Sequence, residues 1–383
     1  MAPNYNTKIS IYTPVQLAAI TSDNIRISSK CSVQIGALHF EKKIANSDSY
    51  SLFLRLLMIG NRRSFICALV SISLLMSCTG SKDKTAAEAM MTNKKVTVSN
   101  TAGWQLDDQA TISQPSNIIS QNGYSYVFYV KEPLTSPVAG SGYGGTIHYA
   151  FSRDQGHTWS DQGLLINKGL AGSFDAGGVS KPTVIKVTDA EFFYLYYVGV
   201  SDQFTNADGS EANKTHIGLV KLLFNPDGPI RLAIKLNTGT PVITNSEDKD
   251  RFDSYRVDDP KAINMNGQAW IYYTGIDKFG GAARTGLVIS SDINKGHIKQ
   301  NNNHALVDGI PSLVQKQNVG VLAVFTETQN AWYAEDGIHF QKLKKQFPAP
   351  LKKGSANADQ PKLSWGLTEP LAKGNGFGRW EIN

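Results

Sequence analysis

The chain has 383 residues, with 38 Lys and Arg against 32 Asp and Glu, and three cysteines. Residues 1–78 hold eight basic and three acidic side chains, so 79–383 is almost neutral with 30 and 29, which argues against a nucleic-acid partner. All three cysteines (Cys31, Cys67 and Cys78) lie at or before position 78, so disulfides and thiolate chemistry are excluded from the rest of the chain.

The N-terminal segment 1–78 carries a predicted export signal. Residues 1–57 show no helical or strand period, and we interpret them as a non-functional or mis-called extension. Residues 58–78 then have the order of a secretory signal peptide: basic residues, an apolar run from Phe65 to Met76, and small residues. The apolar run is shorter than the roughly 20 residues of a membrane-spanning helix.

The sequence Leu75–Cys78 resembles the bacterial lipobox. The resemblance implies that Cys78 is lipidated and anchors an exported protein to the cell envelope, at the periplasmic or surface face of the outer membrane. No other contact with the membrane is expected. Residues 79–95 are polar and Ala-rich, and they are predicted to be a flexible tether.

Residues 96–383 are predicted to form an all-β domain, a five-bladed β-propeller. Five prolines each open a β-type apolar run, and their successive gaps are 67, 78, 51 and 50 residues. Such gaps approach the roughly 40–50 residues of a propeller blade once loops are added. A β-sandwich is the alternative, but it predicts frequent turn signals without a period of this length. The prolines are Pro115, Pro182, Pro260, Pro311 and Pro361.

The second run of each of the first four repeats is rich in aromatic and β-branched residues, as in Tyr194–Gly199 and Trp270–Gly275. This composition predicts strands buried on both faces between neighbouring sheets. The segment 362–383 that follows Pro361 is too short for a whole blade. We therefore expect the missing outer strand to come from Val96–Ile112, so that the two ends of the domain close one blade.

Two local motifs and the spacing of the histidines bear on function. Ser152–Trp159 matches S-x-D-x-G-x-T-W, the Asp-box of sialidase-like propellers, and it predicts a turn between outer strands rather than a catalytic site. Gly140, Gly142 and Gly145 match the dinucleotide fingerprint by spacing, but a strand follows them where that motif needs a helix. The histidines lack metal-ligand spacing, so no metal site and no cofactor are predicted.

Carboxylates near the blade starts are the candidate chemical groups, because glycosidic bond cleavage needs two of them. In a propeller, residues that precede successive blade-opening prolines can converge at one mouth of the central channel. The alternative is that an Asp before a Pro merely caps a turn. The candidates are Asp175, Asp258, Asp259, Asp308, Glu327 and Asp359.

Phe174–Pro182 and Arg256–Pro260, with the strand runs that follow them, resemble the five-bladed propeller glycoside hydrolases, including the family 43 arabinosidases and xylosidases and the invertase-like family 32. The resemblance implies that Asp175 is the base or nucleophile and Asp259 the Asp that tunes pKa. It also implies that Arg256 and Asp258 contact substrate. The acid is either Asp308 or Glu327.

The first repeat departs from these families, because Gln114 precedes Pro115 where many members carry an Asp. Either the catalytic set is shifted by one blade or the site is partly lost. A Ca²⁺ or Na⁺ in the channel is left open by the resemblance alone.

The sequence therefore predicts a glycoside hydrolase with a carbohydrate substrate, which we expect to be a monomer. A non-catalytic propeller that binds glycan or protein is one alternative, motivated by the altered acid position. A sialidase-like enzyme is another, but residues 79–383 contain only six arginines and no sign of the cluster that would grip a substrate carboxylate.

Overall fold

The computed structural model describes residues 84–383 except 136–141, 187–191, 203–214, 238–239, 295, 301–304, 359–361 and 373–374, together with two short strands near the N-terminus. These strands, β1 (Ile25–Ile27) and β2 (Val33–Ile35), pair antiparallel. The chain divides into two compact units, Met1–Cys78 and Thr79–Asn383. The predicted signal peptide and Cys78 lie outside the described residues.

The second unit starts its strands with β3 (Val96–Asn100) and then forms five antiparallel sheets, the blades. The strands of blade 1 are β4 (Ala110–Ser113), β5 (Ile119–Gln121), β6 (Tyr124–Pro133), β7 (Thr146–Ser152) and β8 (Ser160–Ile166). The strands of blade 2 are β9 (Gly178–Ile185), β10 (Phe192–Val200), β11 (Thr215–Phe224) and β12 (Ile230–Lys235).

The remaining blades follow in chain order. The strands of blade 3 are β13 (Arg256–Met265), β14 (Gln268–Ile276), β15 (Arg284–Ser290), β16 (Ile298–Lys299) and β17 (Val307–Asp308). The strands of blade 4 are β18 (Leu313–Lys316), β19 (Val321–Phe325), β20 (Asn330–Ala334) and β21 (Gln341–Lys342). The strands of blade 5 are β22 (Trp365–Thr368) and β23 (Gly378–Ile382), with β3 as its outer strand.

The five blades form a ring, so the predicted five-bladed β-propeller is confirmed. The inner strands of all the blades line one narrow axial space of about 30 Å³. Blades 1 and 5 meet directly at this axis, where the amide of Ile118 donates to the carbonyl of Ala356 at 2.9 Å.

The hydrophobic core consists of five clusters, one between each pair of neighbouring blades. Successive side chains of a strand point to opposite faces, so one strand can feed two clusters. On β10, Tyr196 packs toward blade 3 whereas Tyr197 packs toward blade 1. On β14, Tyr273 packs toward blade 2 and Tyr272 toward blade 4. The predicted burial of these second strands on both faces is confirmed.

The ring closes as predicted, because β3 pairs antiparallel with β23 over Val96–Asn100. The start of blade 5 differs from the prediction. Ser355 and Asn357 donate to the carbonyls of Leu367 and Trp365 on β22, so the inner segment of this blade precedes Pro361. Pro361 and the candidate Asp359 lie outside the described residues.

Part of the predicted flexible tether is ordered against the domain. Residues 84–89 form a short helix, and Ala87 and Met91 are buried in the cluster between blades 4 and 5, beside Phe347 and Trp380. The segment was predicted to be a spacer because it is polar and Ala-rich. Its small and apolar side chains are nevertheless buried against blades 4 and 5. Among the residues that the structure describes, no helix has the length and hydropathy to cross a bilayer.

Candidate functional site

One cavity, here called the channel mouth, is lined by residues from the inner segments of all five blades. Its volume is about 580 Å³, within the roughly 300–1,000 Å³ typical of small-molecule sites. Its polar and charged lining residues are Gln114, Lys181, Asp259, Lys261, Ser312, Glu327, Thr328 and Lys353. Because every blade contributes to the wall, this is the place at which groups from distant parts of the sequence meet.

Four of the lining residues have left-handed backbone conformations. The φ angles of Gln114, Lys181, Asp259 and Lys353 lie between +43° and +55°, a region that costs an L-residue about 1–2 kcal/mol. The ladders β9–β10 and β13–β14 shift register around Lys181 and Asp259, as at a β-bulge. Bulges re-aim side chains, and such strain concentrates at functional sites.

Asp259 is held in its ionised form. Its Oδ1 lies 2.7 Å from the Nζ of Lys261, and its side chain is only partly exposed. Burial alone would raise the pKa of Asp259, but the ammonium groups of Lys261, Lys181 and Lys353 together hold that pKa below its usual range. An ionised carboxylate at the end of the channel can act as a base or a nucleophile.

Asp258 lies behind the wall of the channel mouth. It is buried, its Oδ2 lies 2.8 Å from the Nζ of Lys181, and it accepts a short hydrogen bond from the hydroxyl of Tyr143. Burial, and then the neighbouring charge of Asp258, raise the pKa of Tyr143 to about 12, so this hydroxyl stays protonated and donates. The guanidinium of Arg256 stacks over the Tyr143 ring at 5.7 Å.

This buried cluster places Asp258 and Arg256 next to the lining residues but not among them. Gln114 connects the same region to blade 1, since its Oε1 accepts the amide of Lys181 at 2.9 Å and its Nε2 donates to the carbonyl of Gly142 at 2.9 Å. The position where the resemblance led us to expect an Asp therefore holds a side chain that bridges blades 1 and 2.

Glu327 follows β19 and lines the channel mouth, so the structure brings it together with Asp259. Asp308 behaves differently. Its side chain is 95% exposed on β17, its nearest cation is Arg284 at 3.9 Å, and it is not among the lining residues. Of the two predicted acid candidates, only Glu327 faces the cavity.

Asp175 is not brought together with Asp259 either. It is buried against blade 2, where its Oδ2 lies 2.6 Å from the Nζ of Lys235 and accepts the hydroxyl of Tyr197 at 2.9 Å. Phe174 stacks on the same tyrosine at 6.0 Å. These contacts hold the carboxylate of Asp175 within blade 2 and not at the channel mouth. We call this arrangement, in which an Asp pairs with a Lys and accepts a Tyr hydroxyl, a clamp.

The same clamp recurs in blade 3. Asp253 accepts the hydroxyl of Tyr273 at 2.7 Å, lies 2.5 Å from the Nζ of Lys299, and follows Phe252, which stacks on Tyr273 at 6.1 Å. Asp253 precedes its blade-opening proline by seven residues, as Asp175 does. The two Asp side chains are structural equivalents, and the equivalent of Asp259 in blade 2 is Lys181.

Sequence reasoning missed the lysines of the channel mouth. Lys181 and Gln114 were visible as the residues directly before Pro182 and Pro115, but only carboxylates were sought at those positions. Lys353 precedes Gly354 instead of a proline, so no blade-opening pattern pointed to it.

Among the described residues, no metal-binding group and no arginine cluster is found at the cavity. Over the described residues, no three His, Cys, Asp or Glu side chains are placed to hold a metal ion. No arginine occurs among the residues found to line the channel mouth, which leaves the sialidase alternative without its carboxylate-binding cluster.

The Ser152–Trp159 motif forms a turn between β7 and β8. The carboxylate of Asp154 accepts the amides of His157 and Thr158 at 3.1 and 2.9 Å, and the indole of Trp159 donates to the carbonyl of Gly156 at 3.0 Å. Burial alone would raise the pKa of Asp154, but the hydrogen bonds that its carboxylate accepts lower that pKa to about 2. The motif contributes no residue to the channel mouth.

Comparison with solved structures supports the fold. Zg3597, a family 117 glycoside hydrolase produced by the marine bacterium Zobellia galactanivorans, is 19% identical, with a TM-score of 0.62 over 76% of this chain and 90% of that one. The structure of a BT0996 RGII complex gives 13% identity and a TM-score of 0.55 over 78% and 95%. A further glycoside hydrolase gives 12% and 0.54 over 79% and 94%.

These likenesses show that the chain shares a five-bladed propeller fold with glycoside hydrolases, and the resemblance inferred from the sequence is confirmed at that level. No family model matches the chain, and no curated protein matches it.

Proposed function

We propose that the protein is a glycoside hydrolase that binds an oligosaccharide at the channel mouth and cleaves a glycosidic bond with Asp259 and Glu327. The observation that carries the proposal is the convergence of these two carboxyl groups, from blades 3 and 4, in one cavity of suitable volume. Hydrolysis of this bond needs one carboxyl group to protonate the leaving oxygen and another to activate water or attack the anomeric carbon.

The environment of each group suggests its role. Asp259 is kept ionised by the surrounding lysines, so we assign it the base or nucleophile. Glu327 is the other carboxyl group among the residues found to line the cavity, and its side chain is exposed there. We assign to Glu327 the donation of a proton to the leaving oxygen.

A second candidate is a propeller that binds glycan without cleaving it. Gln114 and Lys181 favour this candidate, because they hold the left-handed positions of blades 1 and 2 that correspond to Asp259 in blade 3. Under this reading the channel mouth keeps its sugar-binding shape but lacks a working carboxylate pair.

One experiment separates the two. The wild-type protein is screened for turnover of aryl glycosides and oligosaccharides, alongside Asp259→Asn, Glu327→Gln and the matched control Asp308→Asn. We expect the first two variants to lose at least about 100-fold in rate, the lower end of the effect of general acid and base groups, and the control to keep its rate. Saturable binding without turnover in the wild type would support the second candidate.

We also propose that Cys78 anchors the protein to the bacterial envelope by a lipid, on the strength of the motif at Leu75–Cys78. Fractionation of cells that express the Cys78→Ala variant should move the protein from the membrane fraction to the soluble fraction. Retention of the variant in the membrane fraction would rule out the anchor.

A further inference from the structure

At the channel mouth, lysines line the cavity wall, and two of the carboxylates that pair with lysines are buried behind it. Three of the five charged lining residues are lysines, and Asp259, one of the two acidic ones, is already paired with Lys261. The carboxylates that compensate the other lysines lie behind the wall. A ligand that enters the cavity therefore meets the ammonium groups of these lysines together with the exposed carboxyl group of Glu327.

Side-chain exposure shows this layering. In the pair of Lys181 with Asp258, the lysine is 19% exposed and the aspartate 5%. Lys352 and Lys353 pair with Glu369 at 2.9 and 3.0 Å, and here the lysines are 72% and 49% exposed while the glutamate is 6%. Each buried carboxylate holds a lysine in place. Lys352 and Lys353 stay open to the solvent, whereas Lys181 is mostly covered and its Nζ also donates to the hydroxyl of Tyr143 at 3.0 Å.

Compensation of buried carboxylates does not by itself explain this number of lysines. Glu369 pairs through Oε2 with Lys352 and through Oε1 with Lys353, so two ammonium groups face a single negative charge. Lys353 is nevertheless held at the cavity wall with a φ of +45°, a conformation that costs an L-residue energy. The fold thus maintains a strained, half-exposed ammonium group at the site, beside the bulge that presents Lys181.

We infer that the ligand of the channel mouth is an oligosaccharide that carries an anionic group, a carboxylate or a sulfate. Lys353 and Lys181 would bind that group by charge-assisted hydrogen bonds, while Asp258 and Glu369 keep both ammonium groups positioned. This inference rests on the proposed function, because it names the class of sugar that the cavity takes, but it concerns binding and can be tested without turnover.

The test compares probes that differ only in charge. Trigalacturonate and a κ-carrageenan tetrasaccharide are titrated into the full chain by calorimetry, beside the carboxyl-reduced and the desulfated forms of the same backbones. Titrations run at about 0.1 M and about 1 M NaCl, between which the screening length falls from about 10 Å to about 3 Å. Each mixture is then analysed by chromatography for cleavage.

Two variants localise the effect. Lys353→Asn removes the charge but keeps a residue that tolerates the left-handed conformation, and Lys352 still compensates Glu369. Lys316→Gln makes a similar charge change at the far end of β18, away from the channel mouth.

We expect at least one charged probe to bind about ten- to a hundredfold more tightly than its neutral form, the usual value of a hydrogen bond to a charged group. High salt and Lys353→Asn should each reduce that preference by about tenfold, and Lys316→Gln should leave it unchanged. Which charged probe binds distinguishes a uronic acid from a sulfate ester.

Equal affinity for charged and neutral probes, an unchanged preference in Lys353→Asn, or no binding of either charged probe at millimolar concentration would overturn the inference. Charge-dependent binding without cleavage would keep the inference and count against the hydrolase. Cleavage of neutral sugars with no preference for charge would support the hydrolase and overturn the inference.

Discussion

Replacing Asp175 by Asn distinguishes a structural from a catalytic role for this residue. Asp175 is buried, pairs with Lys235 at 2.6 Å, and accepts the hydroxyl of Tyr197. The variant keeps the shape of the side chain but removes its charge, and the partner ammonium loses its counterion. If the clamp in blade 2 is structural, stability falls and the chemistry at the channel mouth does not.

The magnitude follows from burial. Breaking a buried ion pair by removing one partner costs about 3–5 kcal/mol. Lys235 is 29% exposed and can turn toward water, so we take the lower value, about 3 kcal/mol. With an unfolding entropy of about 2.1 cal/mol/K per residue over roughly 300 residues, this lowers the Tm by about 5 °C.

The assay measures Tm by differential scanning calorimetry and turnover at room temperature, where the variant is still folded. Asp253→Asn is the matched control, because Asp253 holds the same place in blade 3 and pairs with both Lys299 and Arg251. It should lower the Tm at least as much. Loss of turnover in Asp175→Asn with an unchanged Tm would refute the reasoning and restore Asp175 to the active site.

Two further predictions concern stability. Burial lowers the pKa of His297 to about 4, so on acidification the unfolded state takes up a proton before the folded state does. Up to about 3 kcal/mol of stability, present above pH 6.5, should therefore be lost between pH 6.5 and 4. A His297→Gln variant, measured by chemical denaturation, should lose less stability over this pH range. An equal pH dependence in both proteins would contradict this. Gly156→Ala should lower the Tm by about 3–6 °C, because its φ is +84° and a Cβ would lie 2.4 Å from the Trp365 ring. Gly163→Ala, with a φ of +79° and no atom within 4 Å, isolates the backbone strain, and an equal shift in both variants would exclude the contact with Trp365.

The architecture could be predicted from the sequence because each blade has a recognisable local pattern of residue types. A proline in the inner segment and an aromatic run in the second strand recur in each of the first four blades, and they indicated the number of blades. Pro182 and Pro260 lie within β9 and β13, at the register shifts, and not at the strand starts that were predicted. The shortage of residues after Pro361 indicated closure by the N-terminal strand. The start of blade 5 was misplaced because proline is tolerated at a strand start but not required there, and Gly354 and Ser355 open that blade.

The candidate site was only half predictable. Asp259 and Glu327, which line the channel mouth, were among the predicted residues. Asp175, which lies against blade 2, was predicted by its likeness to a family pattern instead of by alignment with its own repeat. The equivalence of Phe174–Asp175 and Phe252–Asp253, each pair ending seven positions before a proline, was present in the sequence. The bulge that turns Lys181 toward the axis could not have been predicted, because it depends on pairing between strands.

Ring closure by β3 has a consequence for folding during synthesis. The ribosome makes Val96–Asn100 before any blade, whereas its partner Gly378–Ile382 is made after blades 1 to 4. Those blades can therefore stack as the chain lengthens, but Val96–Asn100 stays unpaired until blade 5 has been made. A contact between the two ends of the domain carries a large loop-closure entropy, and we expect its formation to be the slow, final step by which the whole molecule becomes cooperative.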